Sequence, residues 1–201
     1  SPTEALAGAM REALRLGDRV EVMLRDTMTL LEKDELKLSR AIAQADDGVD
    51  TIHESIKLYL VKVSRNELTE EESRRLFEII TLITNLEHIG DIIDKNLREL
   101  AEKKIRKRYT FSPEGLAEIR DFHHRVASAL ALALNVFATR DIVLARQLFA
   151  DKAARPSARP PTAISSACAR GGRNRSRPVP SISTSSAISS ASTATSSRSP
   201  I

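Results

Sequence analysis

The sequence predicts an all-α protein, an antiparallel helical bundle, on three observations. Apolar residues recur at alternating steps of three and four over long stretches, the period of a helix face and not of a strand. Only 3% of residues are aromatic, 29% are charged and Trp is absent, which suits helices better than sheets. Capping signals stand where the periodic runs begin.

The first helix is expected over 4–33, where Leu6, Met10, Leu14, Val20, Leu24, Met28 and Leu31 share a face. Asp34 would then cap the next helix. From 36 to 63, Leu38, Ile42, Ala45, Val49, Ile52, Ile56, Tyr59 and Val63 form a heptad-like seam. "SRNELT" breaks it, and Thr69 with Glu72 makes a capping box that opens a third helix.

The third seam is Leu76, Ile79, Ile83, Leu86, Gly90, Ile93, Leu97 and Leu100. Gly90 costs about 1 kcal/mol in a helix interior, so its place in the seam calls for close helix approach. "KKIRKRY" (103–109) puts positive charge at the helix end, where the dipole favours it. Ser112 and Pro113 start a fourth helix running to about Phe137. "TRD" (139–141) breaks it, and "DIVLARQLFADKA" begins a fifth.

Beyond residue 154 the composition changes. Residues 155–201 are dominated by Ser, Ala, Arg, Pro and Thr, with seven Arg and no acid. With few large apolar residues, this tail is expected to be disordered. It reads either as a natural low-complexity tail or as out-of-frame translation of a GC-rich gene. The change falls inside a helix that has just begun, which favours the second reading.

The tail also explains the charge. The whole chain carries +4, with a pI of about 9.4, which at first fits a nucleic-acid binder. The tail alone carries +7, so residues 1–154 carry −3. The folded part is mildly acidic, which argues against nucleic acid. A lone Cys168 favours a reducing compartment. The start, "SPTEALAGAMREAL", has charges where a signal peptide has its apolar core. The longest apolar run, 126–138, is too short to span a bilayer.

The candidate chemistry lies in two acidic stripes. Asp46, Asp50 and His53 stand at i, i+4 and i+7 on the second helix, and Glu87, Asp91 and Asp94 do so on the third. Each residue follows a seam position by one. Across a short turn the two helices should be antiparallel neighbours, which puts both stripes on one side of the interface. Their heights match too: Asp50 with Glu87, and Asp46 with Asp91, are symmetric about residue 68.5 in the turn. Four carboxylates so placed repel unless a cation lies among them, and facing helices bearing carboxylates and imidazole are how bundles hold metal clusters. The competing reading is an ordinary solvated helix face.

The remaining histidines are weaker candidates. His123 and His124 are adjacent and diverge by about 100° on a helix, which fits a rim pair better than a ligand pair. His88 points away from the seam. There is no Gly-rich phosphate loop, zinc spacing or nucleophile motif.

At "TNLEHIGDIIDKNL" the sequence resembles the PhoU family, whose signature is an acid-x-x-x-Asp motif in a "LExIGD" context. Glu87 and Asp91 match that motif, and Asp46 and Asp50 fit the facing "DDGVD" element. "REALRLGDRVEVMLRD" (11–26), "IHESIKLYL" (52–60) and "LEHIGDIIDKNLRELAEKKI" (86–105) are most similar to the PhoU-like domain that follows the membrane part of bacterial Na/Pi cotransporters.

The resemblance implies three-helix-bundle repeats, here a first bundle over 1–110 and a partial second over 111–154. It implies a non-enzymatic cytosolic domain on the inner face of the cell membrane, acting in phosphate transport or its regulation. Its partners would be the transporter domain, other phosphate-transport proteins or a second copy of itself. Divalent or ferric ions (Fe, Zn or Mg) would sit at the acidic motifs. Two rival readings are a stand-alone PhoU-type regulator of an ABC phosphate transporter with its sensor kinase, and a di-metal carboxylate enzyme. The last lacks the Glu-x-x-His pair such enzymes carry.

Overall fold

A computed structural model describes the backbone of residues 1–153 and the side chains of 1–150. The expected tail and Cys168 lie outside the described residues. The elements are α1 (Pro2–Lys33), α2 (Leu36–Val63), α3 (Glu70–Ile92), a π-helical turn (Ile93–Arg98), α4 (Glu99–Lys107), α5 (Pro113–Thr139) and α6 (Ile142–Ala153). Among the described residues there is no strand. No helix there is long and apolar enough to cross a membrane.

The caps follow local chemistry. Ser1 with Glu4, and Thr69 with Glu72, form reciprocal capping boxes. The Ser112 hydroxyl accepts from the Gly115 N–H, with Pro113 in the first turn. Asp34 differs from expectation. It closes α1 in a left-handed conformation (φ 57°), its N–H donating to the Leu30 carbonyl, while Glu35 opens α2 without a side-chain cap. Asp tolerates that conformation better than most residues.

α1 is the central rod, packing against α2, α3, α4 and α5. Leu16, Val20, Met23 and Leu30 are fully buried on it, opposite Ile42, Val49 and Leu60 of α2 and Ile79, Ile83 and Leu86 of α3. Burying such a side chain contributes roughly 1.5–3 kcal/mol, so the three-way seam dominates the stability.

Seam assignments shift by one residue on α2 and again past α3. On α2, Leu60 is buried and Tyr59 is exposed. The buried line of α2 already runs one residue late at Ser39 and Asp46, where Leu38 and Ala45 are only half-buried. Past α3, Ala101 is buried and Leu100 is 59% exposed. The π-turn supplies the cause, because its wider loop takes in one extra residue and delays the seam by one.

Lys104 of the "KKIRKRY" run serves another helix's end. Its ammonium donates to the Leu31 carbonyl (2.9 Å) and the Asp34 carboxylate (2.5 Å), and lies 5.5 Å from the Phe111 ring centroid. A cation at the carboxyl end of α1 offsets the helix dipole and pins α4 to α1.

α5 docks on α1 through Leu134, which lies where Gly17 has no side chain. A Cβ on Gly17 would come within 2.5 Å of Leu134 Cδ2. The outer surface of α5 and α6 leaves Phe122, Ile142, Val143 and Phe149 exposed.

Gly17→Val should therefore destabilise the fold by about 1–3 kcal/mol through overpacking. Combining it with Leu134→Ala should recover most of that loss, as non-additive ΔΔG in denaturant unfolding. Simple additivity of the two changes would show that Gly17 does not set the α1–α5 distance.

Candidate functional site

The 64–69 turn reverses the chain, so α2 and α3 pack side by side. One oxygen each from Asp50, Glu87 and Asp91 lies within 4.8 Å of the other two. Of the four carboxylates expected to converge, with His53 and Asp94 nearby, these three lie at metal-ligand spacing. Asp46, His53 and Asp94 stand outside that trio.

Asp46 is the most constrained member of the surroundings. It is only 6% exposed, and its Oδ1 has no hydrogen-bond partner. A Cβ at Gly90 would fall 2.9 Å from that oxygen and 3.5 Å from Val49 Cγ1. Gly90 thus leaves the space the carboxylate occupies, which is the close approach the sequence called for. Burial first, then the charges of Asp94, Asp50 and Asp91, pushes the Asp46 carboxyl up to about 6. His53, one turn beyond Asp50, also has a buried Nε2 without a partner.

Asp94 is diverted by a cation. Arg98 Nε donates to its Oδ1 at 2.5 Å, and Arg98 Nη1 reaches Glu102 (2.9 Å) and the Ser39 hydroxyl (3.3 Å). Ser39, itself buried, donates to Glu102. That hydroxyl, with the Arg98 charge, holds Glu102 below the usual carboxylate range. Asp91 has its own cation: Lys95 Nζ lies 2.5 Å from its Oδ1. The hydrogen bond to Asp91, and the charges of Asp91, Asp46 and Asp50, raise the Lys95 ammonium above its ordinary value.

Asp91–Lys95 and Asp94–Arg98 are ordinary i,i+4 pairs, a spacing the sequence displays. Ser39, 59 residues before Arg98, carries no such signal. Of the weaker candidates, the half-buried His123 places Nε2 2.9 Å from the Leu24 carbonyl oxygen, while His124 and His88 are exposed. None of the three joins the acidic trio.

Chemically, the trio offers hard oxygen donors on rigid helices, and Asp46 adds a buried carboxylate lacking any partner at Oδ1. A multivalent cation suits such a donor set.

The fold and this helix pair define an all-α bundle with facing acidic motifs. The PhoU domain family matches over residues 13–100, the stretch that carries both acidic motifs. It is 40% identical to the "Putative inorganic phosphate export protein YjbB" of Salmonella typhimurium over 148 residues, 74% of this chain and 27% of that protein. The YjbB protein of Escherichia coli K12 is 38% identical over the same extent. The "Phosphate-specific transport system accessory protein PhoU homolog" of Clostridium acetobutylicum is 24% identical over 136 residues, 65% of this chain and 59% of that one. The chain spans about a quarter of the length of its YjbB relatives. No solved structure matches.

A carboxyl whose folded pKa stands above its usual 3.8 weakens the fold once it ionises. The penalty is absent below about pH 4 and complete above about 6. With chelator present, Asp46→Asn should stabilise the protein by about 1–3 kcal/mol at pH 7.5, and the gain should shrink as pH falls through 6. Denaturant unfolding of both proteins at pH 4.5 and 7.5 measures this. An equal difference at the two pH values would mean that the Asp46 charge is not strained.

Proposed function

We propose that the chain is a cytosolic PhoU-like regulatory domain of a sodium-dependent phosphate cotransporter, non-enzymatic and acting on the inner face of the membrane. The observation that carries the phosphate-transport reading is the 40% identity to YjbB over 148 residues. That protein is named for inorganic phosphate export, and this chain matches only 27% of it, so a larger transporter is the natural partner. Sodium coupling rests on the resemblance at 11–26, 52–60 and 86–105. The exposed apolar side chains on α5 and α6 fit docking onto such a partner or onto a second copy.

The alternative is a stand-alone regulator of an ABC phosphate transporter, favoured by the match to a PhoU homolog named as an accessory protein. The coding sequence discriminates between the two. Transmembrane helices encoded in frame upstream of Ser1 are expected under the cotransporter reading. A start codon directly before Ser1 would support the stand-alone regulator instead.

The same reading includes a metal ion, divalent or ferric. Asp50, Glu87 and Asp91 would hold it, with Asp46 beside them. Bound there, it would supply the positive charge these carboxylates need and fix α2 against α3. The chain's own contribution is a rigid helix pair, the Gly90 gap and a second layer of cations. Elemental analysis should find metal in the purified protein and little in an Asp50→Ala, Glu87→Ala double variant. Equal, near-zero metal in both would reduce the stripes to solvated helix faces.

A further inference from the structure

The acidic trio does not face solvent alone. Lys95 is one turn beyond Asp91 on the same rod, and its ammonium sits 2.5 Å from Asp91 Oδ1, an oxygen of the residue that completes the trio. The lysine side chain is 61% exposed and Asp91 is 27% exposed, so the amine approaches from the solvent side of the cluster. The other nearby cation, Arg98, is engaged by Asp94, Glu102 and Ser39. Asp46 is 6% exposed and its Oδ1 has no hydrogen-bond partner, so neither Lys95 nor Arg98 reaches that oxygen.

We propose that Lys95 is a tethered competitor for the metal position: its ammonium neutralises Asp91 in the metal-free protein and must yield when a multivalent cation binds Asp50, Glu87 and Asp91. This rests on the metal reading above and adds a means of regulating it. A single positive charge on a flexible stem is a weak occupant, because it brings no second charge to offset Asp50, Glu87 and Asp46. A divalent or trivalent ion brings that charge and shorter oxygen contacts. Lys95 therefore sets a threshold. Monovalent ions gain little over the amine already present, and multivalent ions displace it. Because the amine is mostly exposed, salt screens its hold, and the difference it makes to metal binding shrinks as ionic strength rises.

The experiment is Mn2+ binding to the full chain, followed by calorimetry and by the loss of the free-ion EPR signal. Wild type, Lys95→Met, Lys95→Arg and Lys103→Met are compared in low salt. Lys95→Met keeps the aliphatic stem and removes the charge, and should bind Mn2+ about two- to fivefold more tightly, the scale of a mostly exposed ion pair. Lys95→Arg keeps the charge and should resemble wild type. Lys103→Met controls for net charge and should also resemble wild type. The gain should diminish in 0.5 M NaCl. Equal or weaker binding by Lys95→Met overturns the competitor role, as does an equal gain in Lys103→Met. Absence of Mn2+ binding by every variant overturns the metal reading itself, which keeps the two failures distinguishable. Circular dichroism confirms that each variant is folded, and the exposed position of Lys95 makes loss of fold unexpected.

Discussion

Like-charge repulsion along one side of the α2–α3 pair is the constraint to which the rest of the structure is fitted. Asp46, Asp50, Glu87, Asp91 and Asp94 all belong to that side, and their repulsion acts against the apolar seam that holds the helices together. Three devices contain it. Asp94 is neutralised by Arg98, whose guanidinium is in turn fixed by Glu102 and Ser39. Asp91 is neutralised by Lys95. Asp46 gives way by becoming easier to protonate, because burial and then the charges of Asp94, Asp50 and Asp91 disfavour its ionised form. Gly90 belongs to the same set: without a side chain there, the helices close over Asp46 and do not splay around it.

Apolar packing makes this tolerable. Leu16, Val20, Met23 and Leu30 of α1 run behind the helix pair, and Met23 reaches the Gly90 gap itself. Burial on this scale outweighs one strained carboxylate by a wide margin. A protein selected for stability alone would have no reason to keep a buried, unpartnered acid. Strained groups of this kind concentrate at functional sites, where a ligand relieves the strain.

Much of this was legible in the sequence because it is local or periodic. The bounds of α2, the Thr69 box and the Ser112–Pro113 start follow from side chains acting within four residues. The pairing of Asp50 with Glu87 followed from one further assumption, that a short turn makes neighbours of the helices it joins. What escaped was non-local or a matter of competition. Asp34 had two roles open to it, and Lys104, 70 residues away, rewards the one it takes. The π-turn leaves no mark in the apolar spacing up to Ile93. It shows only where Ala101 replaces Leu100 in the buried line. Gly17 resembles any helical glycine until Leu134 arrives from α5.

The π-turn between α3 and α4 has a consequence beyond the residue it displaces. The rod from Glu70 to Lys107 must meet two fixed points, the acidic side of α2 near one end and the carboxyl end of α1 near the other. An uninterrupted α-helix has a single phase along its length, so aligning one end dictates the other. The extra residue resets that phase by about 100°. The rod thus behaves as two separately keyed segments on one axis. The segment bearing Glu87 and Asp91 is phased to face α2, the segment bearing Lys104 is phased to the carboxyl end of α1, and the join between them carries Asp94, Lys95 and Arg98.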